Sequence, residues 1–175
     1  MGYVSDEQSE LWTFMLEFYA LPGVAPACLR LQDTYEADIP IFLAALRFTA
    51  LGGKLDAEQI RTIDRECRKW RDTVIKPLRS IRKAMKVDWN QIIAARAMKL
   101  RDDVKATELR AEQIEVHMLD QFLNEFSLSG GGDTTRNLHE VAGLMLHGQG
   151  LSDALPDDAI FIIDSITGFP GLARQ

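Results

Sequence analysis

Apolar residues recur at steps of three and four along nearly the whole chain, and no four-residue stretch alternates cleanly with the period of a strand. Because this step is the period of an α-helix, the pattern constrains the fold more than any other feature. The length of 175 residues suits one hydrophobic core of ordinary size. The sequence therefore predicts an all-α fold, a compact bundle of about six or seven helices.

Capping residues and one proline define several of the predicted helices. Asp38 and Asp56 stand where a capping side chain is needed, at the starts of a third and a fourth helix. Pro77 removes a backbone donor from the middle of a helical pattern. The apolar positions on either side of it share one face, at Trp70, Val74, Leu78, Ile81 and Met85. We therefore expect a helix that is kinked at Pro77 and keeps a continuous apolar face.

The longest predicted helix runs from about residue 90 to about residue 126. Its apolar positions step by four and three, at Ile93, Ala97, Leu100, Val104, Thr107, Ala111, Ile114 and Met118. Such a seam along residues 93–118 suits packing against a second helix over its whole length, which makes a homodimer one possibility. The other is an ordinary long helix inside the bundle.

A glycine-rich stretch divides the predicted helices into two groups. Residues 127–135 read SLSGGGDTT, a composition typical of a flexible linker. We therefore expect a helical domain over residues 1–128 and an acidic helical extension over residues 129–175.

Basic and acidic residues are distributed unevenly along the chain, which the net charge of −6 does not show. Residues 61–105 carry 14 basic and 6 acidic side chains. The flanks are acidic, with 3 basic and 9 acidic side chains in residues 1–60 and 3 and 11 in residues 106–175. Residues 65–86 alone hold 9 basic groups against 2 acidic ones, so a basic helix is the main candidate for binding.

The sequence predicts a cytoplasmic protein with no membrane span. Residues 1–10 are polar and acidic and lack the basic flank and apolar run of a signal peptide. The longest apolar stretch, residues 39–50, is interrupted by Arg47 and is shorter than the roughly 20 residues that a bilayer requires. Cys28 and Cys67 need no bridge, which fits a reducing compartment.

The basic helix over residues 65–86 admits several interpretations. An acidic protein or an anionic ligand would be held by guanidinium and ammonium groups, with Arg68, Arg71, Arg79, Arg82 and Lys83 as the expected contacts. Alternatively, these side chains pair with acidic helices of the same chain or with solvent. Nucleic-acid or membrane-surface binding through the same helix fits less well, because the chain is acidic overall and lacks a recognised fold for base readout.

A carboxylate cluster offers an enzymatic alternative. Asp33, Glu36 and Asp38 lie within six residues and could bind a divalent ion, although capping and turn roles suit them better. His139 and His147 are eight residues apart on one predicted helix, too far to share a metal. Serine-hydrolase, phosphate-loop and dinucleotide signatures are absent, so no catalytic residue and no cofactor is predicted.

Two dense blocks carry a family resemblance. The first consists of Trp12-x-Phe14, Tyr19, Pro22-Gly23-Val24 and Ala27-Cys28-Leu29-x-Leu31-Gln32-Asp33. The second is Trp70-Arg71-x-x-Val74-x-x-Pro77-Leu78-Arg79-x-x-Arg82. Together they resemble a bacterial, mainly proteobacterial, domain-of-unknown-function family numbered 2390, over about residues 9–100. The chain departs from the family pattern at residues 36–40, where Glu-Ala-Asp-Ile-Pro stands in place of Gly-x-Asp-Val-Asn.

The resemblance implies a bacterial cytosolic helical protein and no catalytic residue. Combined with the charge pattern, it leads us to expect a non-enzymatic interaction or regulatory module that uses the basic helix to contact an acidic partner or anionic ligand. The alternatives are a metal-assisted enzyme at Asp33, Glu36 and Asp38, and a nucleic-acid-associated protein.

Overall fold

A computed structural model describes residues 9–128, 132–147 and 154–172, and in these ranges it contains helices and no strand. The elements are α1 (Glu10–Tyr19), α2 (Val24–Tyr35), α3 (Ile39–Ala50), α4 (Ala57–Trp70), a π-helical turn (Arg71–Ile75), α5 (Lys76–Ala84), α6 (Ala94–Asn124), α7 (Thr134–His147), α8 (Asp157–Thr167) and a 3₁₀ turn (Pro170–Leu172). Because α4, the π turn and α5 form one continuous helix, the described residues contain seven long helical segments. The all-α prediction is confirmed.

Capping side chains fix where the early helices begin. Ser9 accepts a hydrogen bond from the Trp12 backbone N–H at 3.1 Å and starts α1. Asp38 does the same for Ile41 at 3.1 Å and starts α3. Asp56 forms a reciprocal capping box with Gln59 at the start of α4. The predicted starts at Asp38 and Asp56 are therefore confirmed.

Gly23 makes the sharp turn between α1 and α2. Its φ of 86° is left-handed, a conformation that glycine adopts without steric penalty. A Cβ atom at this position would also lie 2.9 Å from the ring of Phe161 on α8. The Pro-Gly pair of the first sequence block thus serves two purposes, since it turns the chain and lets α8 approach.

The helix continues through Pro77 by way of the π turn. The Lys76 N–H donates to the Arg71 carbonyl five residues back, which is the π pattern. Pro77 has no N–H of its own, and its ring needs room against the preceding turn. The wider turn shifts the buried position to Ile75, and the predicted stripe is only partly buried, with Ile81 half exposed. The helix is continuous as predicted, and the other four residues of the predicted face, Trp70, Val74, Leu78 and Met85, are half-buried.

The long helix α6 starts later than expected and buries a different face. Residues 91–93 form a turn in which Asn90 accepts the N–H groups of Ile92 and Ala94, and α6 itself begins at Ala94. Its buried residues are Glu108, Ala111, Glu115, Val116, Leu119 and Leu123. Ile93, Leu100 and Ile114 of the predicted seam are instead about half exposed. Within the chain, the 93–118 seam is therefore not the packing face.

The core surrounds α3, as its apolar composition predicts. Nine of its twelve residues are buried. It packs against α6, α7 and α8, and α8 also packs against α2. One hydrophobic cluster joins buried residues of α1 to α4 with residues of α6, α7 and α8. The division into residues 1–128 and 129–175 stays a prediction, and the described helices on both sides of it contribute to this cluster.

No single described helix has both the length and the apolar composition to cross a bilayer. Only α1 and α2 taken together meet both criteria, and the two are bent by 100°.

Candidate functional site

Arg71, one of the five predicted anion contacts, lies at the centre of an internal ion-pair network. Its guanidinium donates to Asp38 and to Asp64, each at 2.7 Å, and its side chain is only 13% exposed. Burial alone would lower the pKa of Arg71, but pairing with the two carboxylates raises it above the ordinary value. Arg71 joins the continuous helix to the start of α3.

Arg79 and Arg82 pair with the acidic face of α6. Arg79 donates to Glu108 at 3.1 Å and to Glu112 at 2.7 Å, and Arg82 donates through two nitrogens to Glu108. Burial would raise the pKa of Glu108, yet the hydrogen bonds from both arginines lower it below the ordinary value. These pairs hold α5 antiparallel to α6.

Arg68 and Lys83 are the exposed members of the predicted set. Arg68 pairs with Asp64 one helical turn away, and Lys83 pairs with Asp33 at 3.1 Å. Both basic side chains are more than half exposed. Because exposed pairs contribute only about 0–1 kcal/mol, these two groups can exchange partners easily.

Glu115 is the buried carboxyl group that the sequence patterns missed. It is 1% exposed, and its Oε1 has no hydrogen-bond partner among the described residues. Burial raises its pKa to about 8, and the nearby Asp38 carboxylate adds to the increase. Its spacing from Glu108 and Glu112, by seven and three residues, is the helical spacing of one acidic face and could have indicated its place opposite the basic helix.

A cleft of about 470 Å³, here called the charged cleft, opens beside this network. It lies between the end of α2, the start of α3, the helix through the π turn, and α7. Its charged lining comprises Asp33, Glu36, Asp38, Arg61, Asp64, Arg71, Lys76, Arg79, Lys83 and Glu115. The cleft is large enough for a small polar molecule.

The three carboxylates of the enzymatic alternative all line the charged cleft, but they do not assemble into a metal site. Asp38 is occupied by the Ile41 N–H and by Arg71, and Asp33 pairs with Lys83. Glu36 is exposed at the end of α2. In the part of the chain that the structure describes, no group of three His, Cys, Asp or Glu side chains is placed to hold a metal ion. Capping and ion pairing use Asp38 and Asp33 separately, and the metal-site alternative stays a prediction.

A second cleft lies on the other side of the arginine pairs. This apolar groove, of about 500 Å³, runs between α1, α2, the start of α3, α5 and α6. Leu16, Leu29 and Leu109 line it and are about half exposed. Lys105 and Arg82 give it a basic margin.

The helical arm, defined as residues 76–107, contains no buried residue. It comprises α5, the connecting segment and the first half of α6. Seven large apolar side chains are nevertheless exposed on it, at Ile81, Val87, Trp89, Ile92, Ile93, Met98 and Leu100. The sequence pattern missed this surface in part because Ile81, Ile93 and Leu100 have the spacing of buried helix faces.

The basic side chains of the helical arm are only partly neutralised by the chain. Its residues carry nine basic and three acidic groups. Lys76, Arg79, Arg82 and Lys83 are in ion pairs. In residues 9–128, 132–147 and 154–172, no ion pair involves the other five basic groups, which are Lys86, Arg96, Lys99, Arg101 and Lys105.

These features define an all-α protein with an internally paired basic helix, two clefts and an exposed, basic and apolar helical arm. The chain belongs to the family described as "Protein of unknown function (DUF2390)", whose profile matches residues 10–119. The match covers α1 to α5 and most of α6, and therefore both arginine clusters. No curated protein and no solved structure gives a significant match.

Proposed function

We propose that this protein is a non-enzymatic interaction module of the bacterial cytosol, whose helical arm binds an acidic, amphipathic segment of a partner protein. The observation that carries the proposal is the exposure of seven large apolar side chains on a segment that buries none of its own residues. Large apolar side chains exposed together on one segment are a feature of protein-binding surfaces.

The charge of the helical arm specifies the partner's chemistry. Nine basic groups against three acidic ones favour a segment rich in Asp and Glu. Arg71, Arg79 and Arg82 are already committed to carboxylates of the chain. The contacts proposed here are therefore the exposed Lys83 and Lys86 and the basic groups of the first half of α6.

The apolar groove extends this surface toward the body of the protein. Lys105 lies at the end of the helical arm and also lines the groove, and Leu109 follows one helical turn later. An amphipathic helix laid along the arm could place its apolar side chains in the groove and a carboxylate against Lys105 at its margin.

A second copy of the chain is the competing occupant, packed along residues 93–118. Two arms brought together would place like charges opposite each other, since each arm has a surplus of six basic groups. Charge complementarity therefore favours the acidic partner over the homodimer.

The test uses synthetic amphipathic peptides as probes. One peptide has leucine on one face and glutamate on the other, a second replaces glutamate with lysine, and a third replaces leucine with serine. In fluorescence anisotropy we expect the Leu/Glu peptide to bind and the other two to bind at least about tenfold more weakly. Salt should weaken the binding, because part of the attraction is between exposed charges.

Paired variants locate the binding surface. Ile92→Ser with Leu100→Ser on the helical arm should weaken Leu/Glu peptide binding at least about tenfold, whereas Ile160→Ser on α8 should leave it unchanged. Equal binding of the Leu/Lys peptide, an unaffected arm variant, or a preference for DNA or anionic vesicles would each overturn the proposal. Self-association that the arm variant abolishes, without peptide binding, would assign the surface to a second copy instead.

A further inference from the structure

The wall of the charged cleft contains a buried polar atom without a partner. Glu115 lines the cleft, is 1% exposed, and its Oε1 receives no hydrogen bond from the described residues. Most buried side-chain oxygens in native proteins have at least one donor. An unpartnered carboxyl oxygen in a cleft wall therefore points to a molecule that donates to it.

The ion-pair network around this atom leaves one carboxyl group without a cation. Four guanidinium groups, of Arg68, Arg71, Arg79 and Arg82, pair with Asp38, Asp64, Glu108 and Glu112. Glu115 is in no ion pair with the described residues, and its Oε1 has no hydrogen-bond partner among them. A cationic group entering the cleft would give an ionised Glu115 its partner.

The exposed lining of the charged cleft, which forms its rim, has a small surplus of basic groups. Arg61, Lys76 and Lys83 line it together with Asp33 and Glu36, and all five residues are exposed. Three cations against two carboxylates favour an anionic group at this rim. The buried part of the cleft at Glu115 therefore favours a cationic group, and the exposed rim weakly favours an anionic group.

We propose that the charged cleft binds a small zwitterion of the amino-acid type, with its ammonium or guanidinium group on Glu115 and its carboxylate or phosphate at the rim. The site shares Lys76, Arg79 and Lys83 with the helical arm, but it does not rest on the proposed partner binding, because Glu115 lies outside the arm. Its volume of about 470 Å³ suits a ligand of this size.

Binding should release a proton from the protein. Burial and the carboxylates of Asp38 and Glu112 raise the pKa of Glu115 to about 8, while Arg71 and Arg79 oppose the increase. At neutral pH Glu115 is therefore mostly protonated, and it must ionise to pair with an ammonium group. The affinity for an ammonium ligand then rises as the pH is raised toward the pKa of Glu115.

Three probes of similar length and different end charges test the site by calorimetry on the full chain. They are 4-aminobutyrate, 1,4-diaminobutane and succinate. We expect saturable binding of 4-aminobutyrate, weaker binding of 1,4-diaminobutane and none of succinate. The heat of 4-aminobutyrate binding should also depend on the ionisation enthalpy of the buffer, because a proton leaves Glu115.

Glu115→Gln keeps the size of the side chain and removes the ionisable group, so it should weaken 4-aminobutyrate binding at least about tenfold and abolish the proton release. Glu17→Gln, on an exposed residue of α1 that does not line the cleft, is the matched control and should change the affinity less than about twofold. Succinate binding as tight as 4-aminobutyrate, equal affinity in Glu115→Gln, or no saturable heat with either amine overturns the proposal. If Glu115→Gln does not fold, the pH dependence of 4-aminobutyrate binding to the wild type is the test. The affinity should rise from about pH 6 to about pH 8, and a flat profile contradicts the assignment.

Discussion

At the scale of single residues, Glu36 occupies a conformation that its side chain disfavours. It ends α2 with φ of 53°, and it is the one described non-glycine residue with a positive φ. The left-handed conformation costs an L-residue roughly 1–2 kcal/mol, and glycine is the usual residue at this position after a helix. We therefore expect Glu36→Gly to raise the free energy of unfolding by about 1 kcal/mol in urea denaturation.

The same substitution inside a helix provides the control. Glu17 is exposed within α1, where the backbone is helical. Glu17→Gly should lower the free energy of unfolding by roughly 0.5–1 kcal/mol, because glycine adds backbone entropy to the unfolded chain. Equal signs for the two variants would show that Glu36 is not strained.

Glu115 should make the stability of the protein depend on pH. Its carboxyl group ionises near pH 4.5 in the unfolded chain and near pH 8 in the folded one. Between these values the folded state binds more protons, so the free energy of unfolding falls as the pH rises. The effect across the window is on the order of a few kcal/mol.

The measurement compares wild type with Glu115→Gln in urea at about pH 5.5 and about pH 8. The variant lacks the raised pKa, so its stability should fall less over this range. The groups facing Glu115 are Asp38 at the start of α3, Arg71 in the π turn, Arg79 on α5 and Glu112 on α6, and the variant retains all of them. Identical slopes would place the titrating group elsewhere.

At the scale of elements, the continuous helix changes character at the π turn. Before and within the turn it contributes buried residues, of which Ile75 is the last and only 1% exposed. After the turn, α5 buries none. α5 is joined to α6 by its arginine pairs, and Leu78 on it is only half-buried.

This change predicts a contrast between two isoleucines. Ile75→Ala should lower the free energy of unfolding by about 2–5 kcal/mol, because it leaves a cavity in the core. Ile92→Ala, on a side chain that is 85% exposed, should change it by less than about 0.5 kcal/mol. Urea unfolding followed by circular dichroism measures both. A large loss at Ile92 would mean that the helical arm folds back onto the body.

At the scale of the whole molecule, α7 and α8 complete the core that α3 begins. Buried residues such as Leu138, Val141 and Ile162 join the same cluster as Phe42 and Leu46. A chain that ends after Leu128 would expose the faces of α2 and α3 that α7 and α8 cover. We expect this truncated chain to lose its cooperative unfolding transition and to bind a hydrophobic dye.

A truncated chain that unfolds cooperatively at the same urea concentration as the full chain would instead support the division at about residue 128 that the glycine-rich stretch predicts. Circular dichroism and dye fluorescence on the two chains distinguish these outcomes.

Local sequence patterns were enough to predict the fold class and several helix starts, because a capping side chain such as Asp38 accepts a hydrogen bond within its own helical turn. They failed where the outcome depends on a distant partner. Ile93 and Leu100 have the spacing of a buried seam, yet no described helix covers them. The basic residues of 65–86 were predicted as binding groups, but only the folded chain brings Glu108 and Asp38 to them.

The π turn also sets the direction in which the side chains of α5 point around the helix axis. Arg71 and Arg79 are eight residues apart, which in an unbroken α-helix would separate them by roughly 80° around the axis. One surplus residue in the turn rotates the second half back by roughly 100°, so that both arginines line the charged cleft. The helix α5 follows the turn directly and takes up this rotation. A single-residue deletion within residues 71–75 would therefore rotate the exposed face of α5 about the helix axis without altering any residue of that face.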